Sequence, residues 1–462
     1  MFSSSTYTER RKTLKEKLGS GLVFLPGNKF SPINYLDNMY QFRQDSTFLY
    51  YFGLDSEELN AVIDIDNDKE IIFGDDVSLE DIVWMGPQEK LADRAELVGV
   101  TETLASAKLK DYLDEAKSKG QKIHWLPQYR GETFLQFVDL FDIHHSKINE
   151  MVSEGLIKAV VAQREIKSLE EVEEIEKALE LSYEMNIAAM KLSKHGLYER
   201  EVWGAVAGIA HRWGGFASFP IIFSVRGETL HNHHHDNVMK DGDMLILDSG
   251  AESPLHYASD ITRSFPVSGK FNEKQKVVYN TVLKAELEAI NMMKPGLSYR
   301  ECHLHAGGVI FEGLKELGIT KGNTEDAVKN GAHALFMPHG LGHHMGFDVH
   351  DCEGLGEDYI GYDEKYKRAT QFGLGYLRMG KELKPGHVIT VEPGCYFIPQ
   401  LIANWKAENK FTEFINYDKA EEMIGFGGVR IEDDVFVTEE GCRVLGKPIP
   451  KTIEEVEEVC NA

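Results

Sequence analysis

The chain has 462 residues, 42% of them hydrophobic and 27% charged, with a formal net charge of −25. That composition predicts a soluble globular protein with a large core, split into two unequal domains. The acidity argues against nucleic-acid and anionic-membrane partners, which need basic patches. Five cysteines, Cys302, Cys352, Cys395, Cys442 and Cys460, form no C-x-x-C pair. Neither a disulfide framework nor a thiolate zinc site is expected, and a reducing, cytoplasmic location fits.

In chain order, the opening stretch predicts a helix from about Thr8 to a stop at Gly19. It has no apolar segment of the kind a secretory signal needs, and no later run reaches the roughly 18 apolar residues of a membrane span. "GLVFLPG" (21–27), "TFLYYFGL" (47–54), "NAVIDID" (60–66), "KEIIFG" (69–74) and "KIHWLP" (122–127) read as strands. "VTETLASAKLKDYLDEAKSKG" (100–120) reads as an amphipathic helix ended by glycine. Alternation at this spacing predicts a compact α/β unit over 1–163. Ser168 followed by Glu171 is a capping-box pattern and opens a long helix, so a second domain is expected over 164–462. Helices are predicted at 199–214 and 272–293, and the remainder reads as strand-rich to about Pro450.

Four carboxylates stand out in that second half. "GDMLILDSG" (242–250) is an apolar run ending in Asp248. "YASDITRSFPV" (257–267) puts Asp260, Thr262 and Ser264 on one face, by the period-two alternation of a strand. "GHVITVEPG" (386–394) delivers Glu392 just before Pro393, and "GGVRIEDDVFV" (427–437) reads as one strand with Arg430 and Glu432 on one face. Asp433 and Asp434 are expected to face solvent or to support the site. Buried carboxylates are costly unless paired or bound to a metal. Four of them with a histidine make a donor set rich in hard oxygens, suited to Mn, Co, Fe or Zn in a two-metal hydrolytic centre with an acidified bridging water.

The histidine comes from "PHGLGHHMGFDVHD" (338–351), which carries His339, His343, His344 and His350 among glycines. The glycines argue against a helix. In an extended run His339 and His343 share one face and His344 points away.

The ordered set "LDSG…SDITRSFPV…HGLGH…VEPG…VRIEDD" resembles the pita-bread metallopeptidases, specifically the Xaa-Pro peptidases: proline dipeptidase and aminopeptidase P. The resemblance covers most of 165–450, and "YQFRQDSTFLYYFGL" (40–54) is similar to the N-terminal domain that the group carries. It implies an α/β N-terminal domain followed by an α+β pita-bread catalytic domain. It also implies that Asp248, Asp260, His343, Glu392 and Glu432 hold two divalent metal ions, Mn with Co or Zn as alternatives. His339 falls where the family has a histidine that assists proton transfer. His231 and His350 match histidines that contact the substrate and the tetrahedral intermediate. Arg378 matches the arginine that prolidases use for the substrate's C-terminal carboxylate, and Arg430 matches a second arginine near the site. The substrates implied are peptides with proline in second position, and the assemblies implied are homodimers or tetramers.

Within the group, the long segment between Glu392 and Glu432 resembles the insert of the prolidase branch. It is expected to wall off the far side of the pocket and favour dipeptides. The same chemistry on longer peptides, as in aminopeptidase P, is the alternative. A non-catalytic binding module of the same fold is the alternative of another class, and such relatives usually lose metal ligands that this chain retains. An iron oxygenase needs only two histidines and one carboxylate, and the surplus of carboxylates argues against it. Phe219 and Asn232 stand where the family usually has tyrosine, and the loop before His231 looks shorter than usual.

Overall fold

A computed structural model describes residues 1–462, which fall into two units, Met1–Gln163 and Arg164–Ala462. The first unit is built on five strands: β1 (Leu22–Pro26), β2 (Asn60–Asp64), β3 (Lys69–Phe73), β4 (Glu102–Leu104) and β5 (Ile123–His124). Their order is β4-β3-β2-β1-β5. The central pairs are antiparallel, with Val23 opposite Ile63 and Val62 opposite Ile71, while β4 and β5 add parallel at the edges. Leu22, Phe24, Val62, Ile71 and Phe73 are buried together on this sheet. Helices Leu109–Ser118 and Gly131–Phe141 lay Leu113 and Phe137 on that layer, with the rings of Phe24 and Phe137 5.5 Å apart.

Two sequence expectations fail in this unit. The run 47–54 is a helix, Ser46–Phe52, rather than a strand. Asp45 caps it, its carboxylate accepting from the backbone N–H groups of Thr47 and Phe48, both at 2.9 Å. Every residue of the helix is buried. A short segment that is apolar all round has no readable period, so helix and strand look alike in it. Arg10 and Arg11 then donate to the carbonyls of Tyr50 and Tyr51 at 3.0 and 2.8 Å, where the helix leaves them open. In the second case, the first part of 100–120 is strand β4, and the helix begins only at Leu109.

The second unit has β6 (Ile222–Ser224), β7 (Met244–Ser249) and β8 (Ile261–Pro266) in one antiparallel sheet. β9 (Val388–Val391), β12 (Asp433–Val437) and β13 (Cys442–Val444) form another, and β10 (Gly394–Tyr396) pairs with β11 (Gly428–Arg430). The long helix spans Leu169–Leu192, with a full Ser168–Glu171 capping box, and Glu199–Ala210 and Glu273–Met292 follow. The rest is less strand-rich than the sequence suggests. Helix Tyr299–Gly313 packs on Glu273–Met292, and helix Ile453–Cys460, beyond Pro450, packs on Leu169–Leu192. No helix is long and apolar enough to cross a membrane.

The run 427–437 is not one strand. β11 pairs with β10, β12 pairs with β9, and the change of partner falls at Ile431 and Glu432. There the Glu432 N–H donates to the Thr262 carbonyl at 3.1 Å instead of joining either ladder. The segment 341–345 lies along β9: Thr390 N–H donates to His343 O at 3.0 Å and Glu392 N–H to Leu341 O at 2.8 Å.

That close approach requires glycine at 342, where a Cβ would meet the Thr390 carbonyl oxygen at 2.0 Å. Gly342→Ala is therefore expected to lower the unfolding midpoint by the equivalent of about 1–3 kcal/mol, as for overpacking. Gly204→Ala, on an exposed helix face with nothing within 4 Å of the new Cβ, should raise it by about 0.5–1 kcal/mol. Thermal melts of both variants check the pair, and equal midpoints would contradict the close approach at 342.

Candidate metal centre and substrate cavity

β7 carries Asp248 to its end, and β8 begins directly after Asp260. Glu392 leaves β9 where Pro393 stops it, and Glu432 occupies the partner switch between β11 and β12. Four chain segments thus deliver four carboxylates to one wall. Together with His231, His339, His343, His350, Arg378 and Arg430 they line a single cavity of about 990 Å³.

Ligating atoms of Asp260, His343 and Glu432 lie within 4.8 Å of one another. His343 Nε2 is 3.4 Å from Asp260 Oδ2 and 3.8 Å from Glu392 Oε1. Its other nitrogen, Nδ1, donates to the His344 carbonyl at 3.1 Å, which leaves the Nε2 lone pair facing the carboxylates. Asp248 stands to one side and is held by Arg430, whose Nη2 donates to its Oδ2 at 2.5 Å. Buried oxygens Asp248 Oδ1, Asp260 Oδ1 and Glu432 Oε1 have no hydrogen-bond partner in the protein.

The electrostatics match this geometry. Burial raises the carboxyl groups of Asp260 and Glu432 well above the usual carboxylate range, and neighbouring carboxylates push them further. Glu392 is raised too, chiefly by burial, although His343 and Arg430 oppose the shift. Such a cluster can be fully ionised only around added positive charge. Orphaned hard oxygens, a free imidazole lone pair and like charges in contact fit a divalent cation of the Mn, Co, Fe or Zn type.

Around this cluster Arg430 makes three contacts. Nη1 donates to the Tyr396 hydroxyl at 2.7 Å, Nη2 to Asp248, and Nε to Thr262 Oγ1 at 3.1 Å. The Thr262 hydroxyl donates on to Glu432 Oε2 at 2.6 Å. The Tyr396 oxygen lies 2.9 Å from His339 Nε2, and His339 Nδ1 is 2.7 Å from the Gly340 carbonyl. The Nδ1 proton therefore goes to Gly340, and Tyr396 donates to Nε2. Burial, with Arg430 nearby, pulls His339 down to about 3, so its imidazole is neutral at neutral pH. His231, at the exposed cavity edge, is also lowered by burial and by Arg430.

His344 lies outside the cavity. Its buried ring meets that of His387 at 4.7 Å. His350 packs against His343 with ring centres 4.0 Å apart and planes tilted by 42°, and burial brings it to about 4. The segment after Glu392 forms part of the cavity wall: Ile398, Gln400, Leu401 and Asn404 line it from helix Pro399–Ala407 and its approach. Trp405 of that helix packs on Phe372, rings 5.7 Å apart, and Phe372 and Tyr376 line the cavity near Arg378.

Asp433 and Asp434 do not face solvent; both are buried. Burial alone would raise Asp433, but Arg263 and Lys451, each 2.6 Å away, bring it to about 2. Asp434 accepts from the Asp260 backbone N–H at 3.1 Å. Tyr396 is absent from the sequence reading, although it is four residues past Glu392 on β10. Nothing in a single tyrosine tells which histidine or arginine it will meet.

The model of metallopeptidase family M24 matches residues 173–439, and that of the aminopeptidase P N-terminal domain matches residues 7–124. A human Xaa-Pro dipeptidase is 32% identical over 468 residues, covering 97% of this chain and 90% of that protein. A probable Xaa-Pro aminopeptidase of Botryotinia fuckeliana is 33% identical over 454 residues, with 97% and 93% covered. Among solved structures, Pseudomonas aeruginosa aminopeptidase PepP superposes with a TM-score of 0.80 at 27% identity, over 100% of this chain and 98% of that one. Zinc-substituted Escherichia coli aminopeptidase P in complex with product gives 0.80 at 26%, over 100% and 99%. With both parts of the fold matched in order and the acidic cluster inside the matched region, the chain belongs to metallopeptidase family M24.

Proposed function

We propose that this chain is a dinuclear-metal hydrolase that cleaves the bond between an N-terminal residue and a following proline, with dipeptides favoured. The observation that carries the reading is the convergence of four carboxylates, His343 and four further histidines on one cavity, with buried carboxylate oxygens left unpartnered. The names of the relatives, Xaa-Pro dipeptidase and Xaa-Pro aminopeptidase, support the substrate class.

Two divalent ions, Mn with Co or Zn as alternatives, held by Asp248, Asp260, His343, Glu392 and Glu432, would supply the Lewis acidity that activates water and polarises the scissile carbonyl. Glu392, with a side chain 20% exposed, is the ligand most open to the cavity. It is the group to accept a proton from the attacking water and return it to the proline nitrogen. His339 Nδ1, the proton-bearing nitrogen, lies 3.9 Å from Glu392 Oε2 with its tautomer fixed by Tyr396 on Nε2, so His339 assists that transfer as a donor beside the carboxylate. His231 faces the oxygen on which negative charge develops, and His350, its Nδ1 proton given to Glu353, contacts the substrate through the Nε2 acceptor. Arg378 offers a guanidinium to the terminal carboxylate of a dipeptide, one residue beyond the scissile bond. Five free cysteines suit a cytoplasmic enzyme, and a homodimer or tetramer is the assembly proposed.

The alternative, an aminopeptidase P acting on longer peptides, is favoured by one observation. Arg378 already meets Glu353 and Glu357, at 2.5 and 3.1 Å, which lowers its net attraction for a third carboxylate.

Metal should stabilise the fold as well as drive the reaction. In metal-free protein Asp260, Glu392 and Glu432 keep protons that the unfolded chain releases above about pH 4. The folded state then binds more protons, and stability falls as pH rises through that window. The gap in melting temperature between metal-loaded and chelated enzyme is expected to widen from pH 5 to pH 8. Glu432→Gln should lose most bound metal by elemental analysis and most activity. A gap independent of pH, together with full metal content in Glu432→Gln, would sink the assignment of the cluster.

His339→Ala and His231→Ala should lower turnover roughly 10²–10⁴-fold with metal content spared. His344→Ala should cost about tenfold or less in the same assay. A His344 variant as inactive as the His339 one would reverse the roles of the two.

Substrate length is tested by Ala-Pro against Ala-Pro-Ala, with and without added Mn²⁺. The dipeptide should have the higher kcat/KM, and Arg378→Ala should cost it about 1.5–3 kcal/mol more than the tripeptide. Faster cleavage of the tripeptide would move the chain to the aminopeptidase P reading.

A further inference from the structure

Behind the two residues that face the substrate from the 350–378 side lies one carboxylate. Glu353 Oε2 accepts from Arg378 Nη1 at 2.5 Å and from His350 Nδ1 at 3.0 Å. The Glu353 side chain is 10% exposed, against 33% for Arg378 and 35% for His350. Arg378 and His350 line the cavity, and Glu353 does not. A solvated acid at the start of a short turn would be free to move; this one is enclosed by the two groups it holds.

The pattern of donors says what the contact does. Arg378 Nη1 also donates to Glu357 Oε1 at 3.1 Å, so both hydrogens of that nitrogen are engaged. Glu357 gives its other oxygen to Arg368 at 2.7 Å, and Glu353 is the closer of the two partners of Arg378. A guanidinium has five N–H donors in a fixed plane. With Nη1 gripped from behind, the Nη2 and Nε edge is the one left for a ligand, and its plane is set. On the other side, an imidazole that donates from Nδ1 to a carboxylate has its tautomer fixed, with Nε2 as the acceptor. The contact of the His350 ring with that of His343, centres 4.0 Å apart and planes tilted by 42°, carries that orientation to the edge of the metal cluster.

We propose that Glu353 is a positioning residue that links the two ends of the substrate site, setting the Arg378 edge that meets a terminal carboxylate and fixing the His350 ring beside the metal cluster. The inference rests on the reading of Arg378 as the carboxylate group given above. It adds that chain-length selectivity depends on a residue that never touches substrate.

The test uses full-length, Mn-loaded enzyme and the two substrates Ala-Pro and Ala-Pro-Ala. Glu353→Gln leaves one neutral oxygen for both neighbours, so the negative charge that grips Arg378 Nη1 and holds the pair in place is lost. It is expected to lower kcat/KM for Ala-Pro about tenfold more than for Ala-Pro-Ala, mainly through KM, as for loss of a charge-assisted contact. In an Arg378→Ala background the same change should leave the dipeptide-to-tripeptide ratio where Arg378→Ala alone puts it. A melting temperature close to wild type keeps a general loss of structure apart from this effect. Should Glu353→Gln fail to fold, Glu353→Asp withdraws the carboxylate by one methylene and should shift the ratio the same way, about threefold. Equal losses on both substrates, or a ratio change fully additive with that of Arg378→Ala, would overturn the proposal while the Arg378 reading stands. If Arg378→Ala itself leaves the ratio unchanged, that reading fails and the role of Glu353 fails with it.

Discussion

One guanidinium, placed among carboxylates that burial would otherwise protonate, holds the catalytic unit in register. Arg430 sits on β11 and reaches Asp248 on β7, Thr262 on β8 and Tyr396 on β10. Each of its nitrogens meets a different strand. Its own backbone is fixed as well, because Ser264 Oγ accepts from its N–H at 3.0 Å and donates to its carbonyl at 2.9 Å. A lone charge at that depth would be costly, and an unmatched cluster of acids still more so. Paired, they define where the strands must cross.

Further pairs of buried charge brace the loops around this centre. Asp351, one residue past His350, takes Arg164 at 2.5 Å and Lys167 at 3.0 Å. Glu165 takes buried Lys381 at 2.5 Å and also the half-exposed Lys384 at 2.9 Å, on the segment that leads into β9. Arg263 donates to the Glu432 carbonyl at 2.7 Å and pairs with Asp433, so the backbone on both sides of that carboxylate is held from behind. Removing one partner from such a pair leaves a buried charge uncompensated, typically at a cost of about 3–5 kcal/mol. The site is thus backed by ionic contacts, where a hydrophobic backing would leave the loops free to slide.

The parts of this arrangement written in short-range pattern were legible in the sequence. Apolar strands that end in an acid, a capping box at Ser168 and glycines spaced through 340–346 each have a local physical cause. What was not legible depends on partners far along the chain. The all-apolar run 47–54 has no period to read, and only the Asp45 cap and the carbonyl contacts from Arg10 and Arg11 make it a helix. The break at Glu432 comes from a hydrogen bond to Thr262, 170 residues away. Tyr396 and Glu353 gain their neighbours only when β10 and the 350–378 segment fold against the cavity. Asp433 reads as either a surface acid or a support of the site until Arg263 and Lys451 are seen on either side of it.

The change of partner at Glu432 separates two kinds of tolerance. From Arg430 to Glu432 the chain passes between two ladders, and a slip of one residue would turn both side chains to the wrong face. That interval cannot lengthen. The stretch from Phe397 to Phe426, in contrast, leaves β10 and returns to β11 with its ends joined, Phe397 N–H donating to Gly427 O at 3.2 Å. Loops closed in this way change length at small entropic cost. The cavity wall can therefore change length without shifting the register of the acids behind it, as long as Ile402, Trp405, Ile415 and Ala420 keep their places in the core. A scaffold of this kind can acquire a new appetite for substrates while its chemistry stays fixed.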